Sequence, residues 1–355
     1  MRRRLGLPRR LADTTARDAL CRVSLGGLRA ALHRAVKAAW RRKALTPVGL
    51  PVSVLALPTL NHPLVQNRVT DQEVPYGLVR TVTCALVSAE GRPCVDAIPI
   101  PGETNEVGYF QAAFASVLAT YPSLFDVVTY DAGALSEANA KAVVDAGRDY
   151  LFALKGEQRT MFKLATEHLS FEKVLARTED VLDNETTVVR SLKLLAVEPT
   201  WSYGEGKGPG ESVWSHARAF LSVEYVKVHR REVVEQDERL FVTSYDPARL
   251  TDEQWLLLAR SHWGVENNNH HTLDTAFAED DRPWIVANPQ GMLAVLVLRR
   301  IAYTLLALYR SVTLRSGEGR ATRWESLLQS VRDLLVAATE DQLAGLRQRQ
   351  AAATR

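Results

Sequence analysis

The stretch from Leu124 to Leu154 constrains the fold of this 355-residue chain more than any other. An apolar run, Leu124 to Tyr130, is followed by a helix-patterned segment, Ser136 to Ala146, and by a second apolar run, Tyr150 to Leu154. Strand, helix and strand in this order imply parallel strands with helices packed on the sheet. Upstream, Leu78 to Ser88 is rich in β-branched residues, and Pro93 to Ile100 pairs with it as a hairpin across Ala89-Glu90-Gly91. Val52 to Leu57 reads as a short strand. Residues 58 to 76, with Pro58, Asn61, Pro63 and Pro75, read as a loop. A helix over Val107 to Thr120 buries Phe110, Phe114, Val117 and Leu118. The expected class is α/β, a mixed sheet with flanking helices.

Residues 10 to 45 read as helical, with Leu28, Ala31, Leu32, Val36 and Ala39 at helical spacing. The first 43 residues also carry thirteen arginines and lysines against Asp13 and Asp18. A segment so basic either neutralises DNA phosphates or is the solvated face of an amphipathic helix, and composition does not separate the two. The formal charge of the whole chain, +3, does not announce a nucleic-acid protein. Cys21, Cys84 and Cys94 are odd in number and lack CxxC spacing, which argues against a disulfide framework or a cysteine metal site and suits the cytoplasm. No apolar h-region follows the basic start. The longest apolar run, Met292 to Leu308, holds Arg299 and Arg300 in its middle, so a buried amphipathic helix is expected rather than a membrane span.

From about residue 180 to 246 the pattern turns to strands, Thr187 to Val197, Val213 to Val228 and Leu240 to Tyr245, around a flexible loop at Gly204 to Gly210. Helices are expected near 288–312 and 323–346. The organisation read from this is a basic helical segment, 1–46, a main domain, 47–315, with a β-rich insertion at about 180–246, and a helical segment, 316–355.

A helix also opens after Thr251, which can cap it together with Gln254. At α-helical spacing, Trp263, Glu266 and His270 share nearly one face. An acid on the apolar side of a helix is costly to bury unless a cation meets it, and a divalent metal is such a partner. On spacing alone, a surface Glu266 paired with Arg260 is the reading to prefer, and His262, Glu266 and His270, spaced by four, could instead line a zinc site. Asp131 leaves an apolar strand at a turn. Taken alone it is a turn-former or a strand-end metal ligand.

Taken together, several of these stretches resemble one family. His262-Trp263-Gly264-Val265-Glu266-Asn267, then Leu273-Asp274, Phe277 and Glu279-Asp280, resembles the last signature of bacterial insertion-sequence DDE transposases, in the branch that includes the H-repeat-associated proteins. Val127 to Gly133 resembles their second-carboxylate strand, and Tyr150 to Gln158 the strand and turn after it. Thr104-Asn105-Glu106 and Phe241 to Ser244 also fit. The resemblance runs from about residue 10 to 310. It implies an RNase H-like fold with a β-rich insertion before the last catalytic helix. It also implies that Asp131 and Glu266 are catalytic carboxylates holding Mg²⁺ or Mn²⁺. Two such ions about 3.5–4 Å apart can activate the attacking oxygen and stabilise the leaving one. Double-stranded DNA, as element terminal inverted repeats and target, is the implied partner, and a homodimer the implied assembly. Lys155, Arg260 and His270 are candidate DNA contacts. Trp201, Trp214 and Trp263 are candidates for base stacking or for the core.

The sequence departs from the family at one point. The first catalytic Asp is expected after the strand Val52 to Leu57, where Pro58-Thr59-Leu60 stands instead, and no carboxylate occurs between Asp18 and Asp71. Asp96, on the neighbouring strand, and Asp71 are the only substitutes within reach. A degenerate transposase with impaired catalysis, or a DNA-binding remnant without chemistry, is therefore expected.

Overall fold

The computed structural model describes residues 12–67, 73–130, 135–156, 158–183, 185–197, 213–280, 283–314, 316–338, 342 and 344–345. Two helices come first, α1 (Asp13–Leu20) and α2 (Leu25–Arg41), and Ser24 caps the second by accepting from the Gly27 N–H. Four strands follow: β1 (Val54–Ala56), β2 (Thr59–Asn67), β3 (Glu73–Leu86) and β4 (Cys94–Ile100). Then come α3 (Glu106–Thr120), β5 (Val127–Tyr130), α4 (Glu137–Asp145), β6 (Asp149–Leu154) and α5 (Arg159–Ser170). An all-β stretch holds β7 (Ala176–Val181), β8 (Thr186–Ala196), β9 (Ala219–His229) and β10 (Glu232–Thr243). Last are α6 (Asp252–Gly264), a π-helical turn (Val265–His270), α7 (His271–Thr275), α8 (Pro289–Leu308), α9 (Gly317–Arg320) and α10 (Trp324–Ala337).

All ten strands join one sheet. β3 pairs antiparallel with β4 on one flank and with β1 and β2 in succession on the other. β1 runs parallel to β5, and β5 parallel to β6. Antiparallel strands first and a parallel β-α-β unit afterwards is the RNase H-like order. β10 then returns antiparallel along β6, with Leu240 opposite Leu154, and carries β9, β8 and β7 outward. The β-rich insertion thus extends the core sheet and covers the edge that β6 would otherwise expose.

One expectation needs correction. Residues 58 to 76 are not a loop, because β2 and the start of β3 occupy most of that range. Pro63 is tolerated there because β2 pairs with β3 alone, so one flank of the strand needs no donor. From residue 25 onward the basic N-terminal segment is the amphipathic helix α2. Leu32 and Val36 are fully buried in the main core, and α2 packs on β4 and α8. Residues 1–11 lie outside the described residues. α5 was not anticipated, although Met161, Ala165 and Leu169 bury a face at four-residue spacing.

The central strands are buried on both sides, as parallel strands flanked by helices are. Leu55, Leu57, Val128, Tyr130, Tyr150, Phe152 and Leu154 face the core formed with α2 and α3. Val54, Ala56, Val127, Leu151 and Ala153 face the other core, with Trp255, Leu256, Leu258 and Ala259 of α6. Successive side chains of a strand point to opposite faces, so odd and even positions are assigned without ambiguity.

Two buried charge clusters tie distant elements to this sheet. Asp96 of β4, fully buried, accepts from Arg29 Nε at 2.9 Å, from Arg29 Nη2 at 2.7 Å and from the Ala97 N–H, with His33 Nε2 at 3.0 Å. Burial alone would raise its pKa, but Arg29 and His33 hold it below the usual range. The second cluster explains the two arginines in the middle of α8. Pro289–Thr313 is long and apolar enough to cross a bilayer by length and composition, with 56% of its most apolar window buried in the protein. Arg300, fully buried there, grips Glu279 with both terminal nitrogens, and His62 Nε2 of β2 meets the same carboxylate at 3.2 Å. Arg299 reaches the carbonyls of Ala278 and Glu279. Against the cost of burial, the Arg300 charge and the His62 hydrogen bond hold Glu279 at a pKa of about 2.

Removing one partner of a buried pair leaves the other charge stranded. Arg300→Met is therefore expected to cost about 3–5 kcal/mol of unfolding free energy, read by urea denaturation, and a loss under about 1 kcal/mol would contradict the buried-pair account. Acid should also weaken the fold. Glu279 contributes stability above its ordinary 4.5, and this is lost as pH falls toward 2. His270 is held neutral down to about 4, by burial and the nearby Arg300, whereas the unfolded chain takes that proton near 6.5. The urea midpoint should thus fall continuously from pH 6.5 downward, and His270→Gln should flatten the upper part of the decline.

Candidate active site

The site is built where β5 ends and α6 arrives. Thr251 and Gln254 form a reciprocal capping box that starts α6 at a fixed residue. Trp255, Leu256, Leu258 and Ala259 then seat the helix on the sheet. At its far end His262 Nδ1 lies 2.8 Å from Thr129 Oγ1. Thr129 stands two residues before Asp131, and His262 four before Glu266. One hydrogen bond therefore joins the strand that leads to Asp131 with the helix that leads to Glu266.

β1 enters the same place. Ala56 is opposite Thr129, and the Leu57 N–H donates to the Thr129 carbonyl. Pro58 lies between β1 and β2, and its carbonyl accepts from the Thr83 N–H at 2.9 Å. A facing antiparallel pair normally exchanges two such bonds, and proline can only accept, so one ladder bond is lost while the strand's line is kept. Thr59 turns the other way, with its Oγ1 2.9 Å from Tyr130 Oη on the α2 side of the sheet. Asp131 and Asp71 lie outside the described residues, as does the side chain of Glu266.

Asp96 does not complete the set. Its partners Arg29 and His33 are on α2, so it faces away from α6, and its oxygens are occupied. The remaining candidates fall in different surroundings. Lys155 is exposed at the end of β6. Arg260 ion-pairs with Asp180 of β7 at 3.0 Å and ties α6 to the sheet extension. His270 is neutral near pH 7 and its Nε2 is buried without a hydrogen-bond partner, which does not suit a phosphate contact. Trp214 is core, and Trp263 packs edge-on against Phe241 beneath the Arg239 guanidinium, 4.9 Å from its ring centre. Trp201 lies outside the described residues.

The expectation that Trp263, Glu266 and His270 share one face assumed unbroken α spacing. The π-helical turn Val265–His270 widens the spacing there, and Trp263 and His270 consequently meet different neighbours, the first Phe241 and Arg239, the second the Arg300–Glu279 cluster. Such turns occur often at functional sites, and here one carries Glu266. The sequence reading assigned no role to the Glu279–Arg300–His62 cluster, which anchors the chain just past this turn. The cue was Arg300 in the middle of an apolar helix, which must have an acid to meet. Among the described residues no three His, Cys, Asp or Glu side chains gather as a metal-holding group.

The family model described as a transposase DDE domain matches residues 80–305. The chain is 25% identical over 165 residues to the putative protein YbfL of Escherichia coli (strain K12), a match covering 44% of this chain and 41% of that protein. It thus spans less than half the length of that relative. Among solved structures, a piggyBac transposase synaptic complex with hairpin DNA is similar at a TM-score of 0.39 and 11% identity, over 89% of this chain and 57% of the other. Since the family model spans well over half of the chain, this protein belongs to the transposases with a DDE domain.

Proposed function

We propose that this transposase binds double-stranded DNA at element ends and target, and that its catalytic centre keeps Asp131 and Glu266 but has lost its first carboxylate at position 58. The observation that carries this reading is the parity of the strands. Ala56 and Thr129 face α6, and positions 58 and 131 have the same parity in a two-residue period. An acid at 58 would therefore look toward the face that Asp131 and Glu266 are expected to share, and Pro58 supplies no oxygen side chain there. Asp131 and Glu266 are hard oxygen donors suited to Mg²⁺ or Mn²⁺, which when bound would activate the attacking oxygen and stabilise the leaving one. The chain's own part is to fix that geometry: His262 and Thr129 hold the helix against the strand, and the capping box sets where the helix begins. DNA cleavage and joining are strongly impaired in this reading, while the fold and DNA binding persist. Function in the cytoplasm, as a homodimer on DNA, is part of the same proposal.

The test is Mn²⁺ calorimetry and nicking of supercoiled plasmid on the full chain and on Pro58→Asp. Pro58→Asp alone should bind Mn²⁺ at least about ten-fold tighter and gain nicking that Glu266→Gln abolishes. Thr59→Asp should do neither, because Thr59 faces Tyr130. Metal-dependent nicking by the unaltered chain, abolished by Asp131→Ala, would overturn the loss of the first carboxylate and show a complete site.

A further inference from the structure

A cavity of about 710 Å³ opens on the flank of α6, between the β3–β4 turn and the outer strands β8, β9 and β10. Its wall on α6 is formed by Leu257, Arg260, Ser261 and Gly264, at the three- and four-residue spacing of one helix flank, with Trp263 beside them. His262 is on another flank, against Thr129, so the cavity is separate from the site described above.

Four arginines line it, and their partners differ. Arg190 and Arg260 share Asp180. Arg239 pairs with Asp237 at 2.9 Å and lies over Trp263. Arg92 has no carboxylate partner among the described residues, and its Nε is buried without a hydrogen bond. Burial lowers its pKa, and the Arg260 charge adds to the effect. Of the acids in the lining, Asp237 is taken by Arg239 and Glu90 by Arg320, leaving Glu235 on β10.

Arg92 is also held in place at some expense. Its φ of 44° is in the left-handed region, which a long side chain rarely adopts. Asn269 and Tyr303 both donate to its carbonyl. Its side chain fits against Gly264 only because that residue has no Cβ; one built there would stand 2.9 Å from Arg92 Nε. A cation that is desolvated, unpaired and fixed by backbone strain at the mouth of a cavity is arranged for an anion that arrives from outside.

We infer that this cavity takes a backbone phosphate of bound DNA, with Arg92 as its principal ligand and Arg239 and Arg260 around it. The inference rests on the DNA-binding reading above and adds a second point of attachment. Because the carbonyl of Arg92 is held by Asn269, on the turn that carries Glu266, a phosphate seated here would fix the strand relative to that turn.

The experiment is DNA binding by the full chain, measured by fluorescence anisotropy of a labelled duplex between about 50 and 200 mM salt. Each phosphate contact contributes about 0.9 to the slope of log K against log salt concentration. Arg92→Gln should weaken binding and make that slope shallower by about 0.9, while Arg92→Lys keeps the slope. Gly264→Ala, which keeps every charge but displaces the guanidinium, should also weaken binding, and it decides the matter if Arg92→Gln does not fold. Affinity and slope equal to those of the unaltered chain in these variants would overturn the inference. If the unaltered chain binds no DNA, the DNA-binding reading fails by itself, and calorimetry with tripolyphosphate then decides the site. Binding abolished by Arg92→Gln would keep a phosphate site whose ligand is not DNA, overturning only its source, and no binding at all would overturn the site too.

Discussion

Burial of the central strands on both faces governs everything else in this protein. A strand between two helical layers cannot slip by one residue without moving a set of leucines and phenylalanines into the wrong core. Leu55 and Val128 lie in one core and Ala56 and Val127 in the other, so the sheet has a single register at β1 and β5. The same rule fixes which strand residues look toward α6. Asp96 does not: with β3 between its strand and β1, it is built into the opposite face and paired there with Arg29.

Charge inside this fold is used for attachment. Arg29 fastens α2 to β4, Arg300 fastens α8 to the segment after the π turn, and His62 brings β2 into that contact. The Arg29–Asp96 and His62–Glu279 contacts link elements far apart in sequence that apolar packing alone would leave less specifically placed. A hydrophobic face tolerates sliding; a bidentate arginine does not. The turn that carries Glu266 is consequently bracketed, by Thr129 and His262 before it and by Glu279 and Arg300 after it.

Much of this was legible in the residues. The crossover from Leu124 to Leu154, the β3–β4 hairpin and the capped helix after Thr251 were signalled by period, by turn residues and by a capping pair, all of which act over a few positions. The same local reasoning failed at residues 58 to 76, where prolines suggested a loop, because an edge position is a property of the whole sheet and not of the segment. It failed again at Trp263 and His270, since a π turn leaves no mark in a pattern counted at 3.6 residues. That no carboxylate stands between Asp18 and Asp71 could be read directly from the sequence. That Asp96 turns toward α2 and not α6 could not, because it depends on which face Asp96 and its pairing partner Cys84 occupy.

The packing of α2 on α8 has a bearing on how the chain is made. Gln290 donates to the carbonyl of Val23, and Trp284 to Asp13, contacts that span 267 and 271 residues. The contacts of α2 with α8 cannot form until the chain has been synthesised through α8, and until then the part of its apolar face that α8 covers is exposed. Closure across so long a span makes folding slow and cooperative. An interrupted translation product stopping before α8 would therefore carry α2 with part of its apolar face uncovered and be a substrate for chaperones or proteolysis.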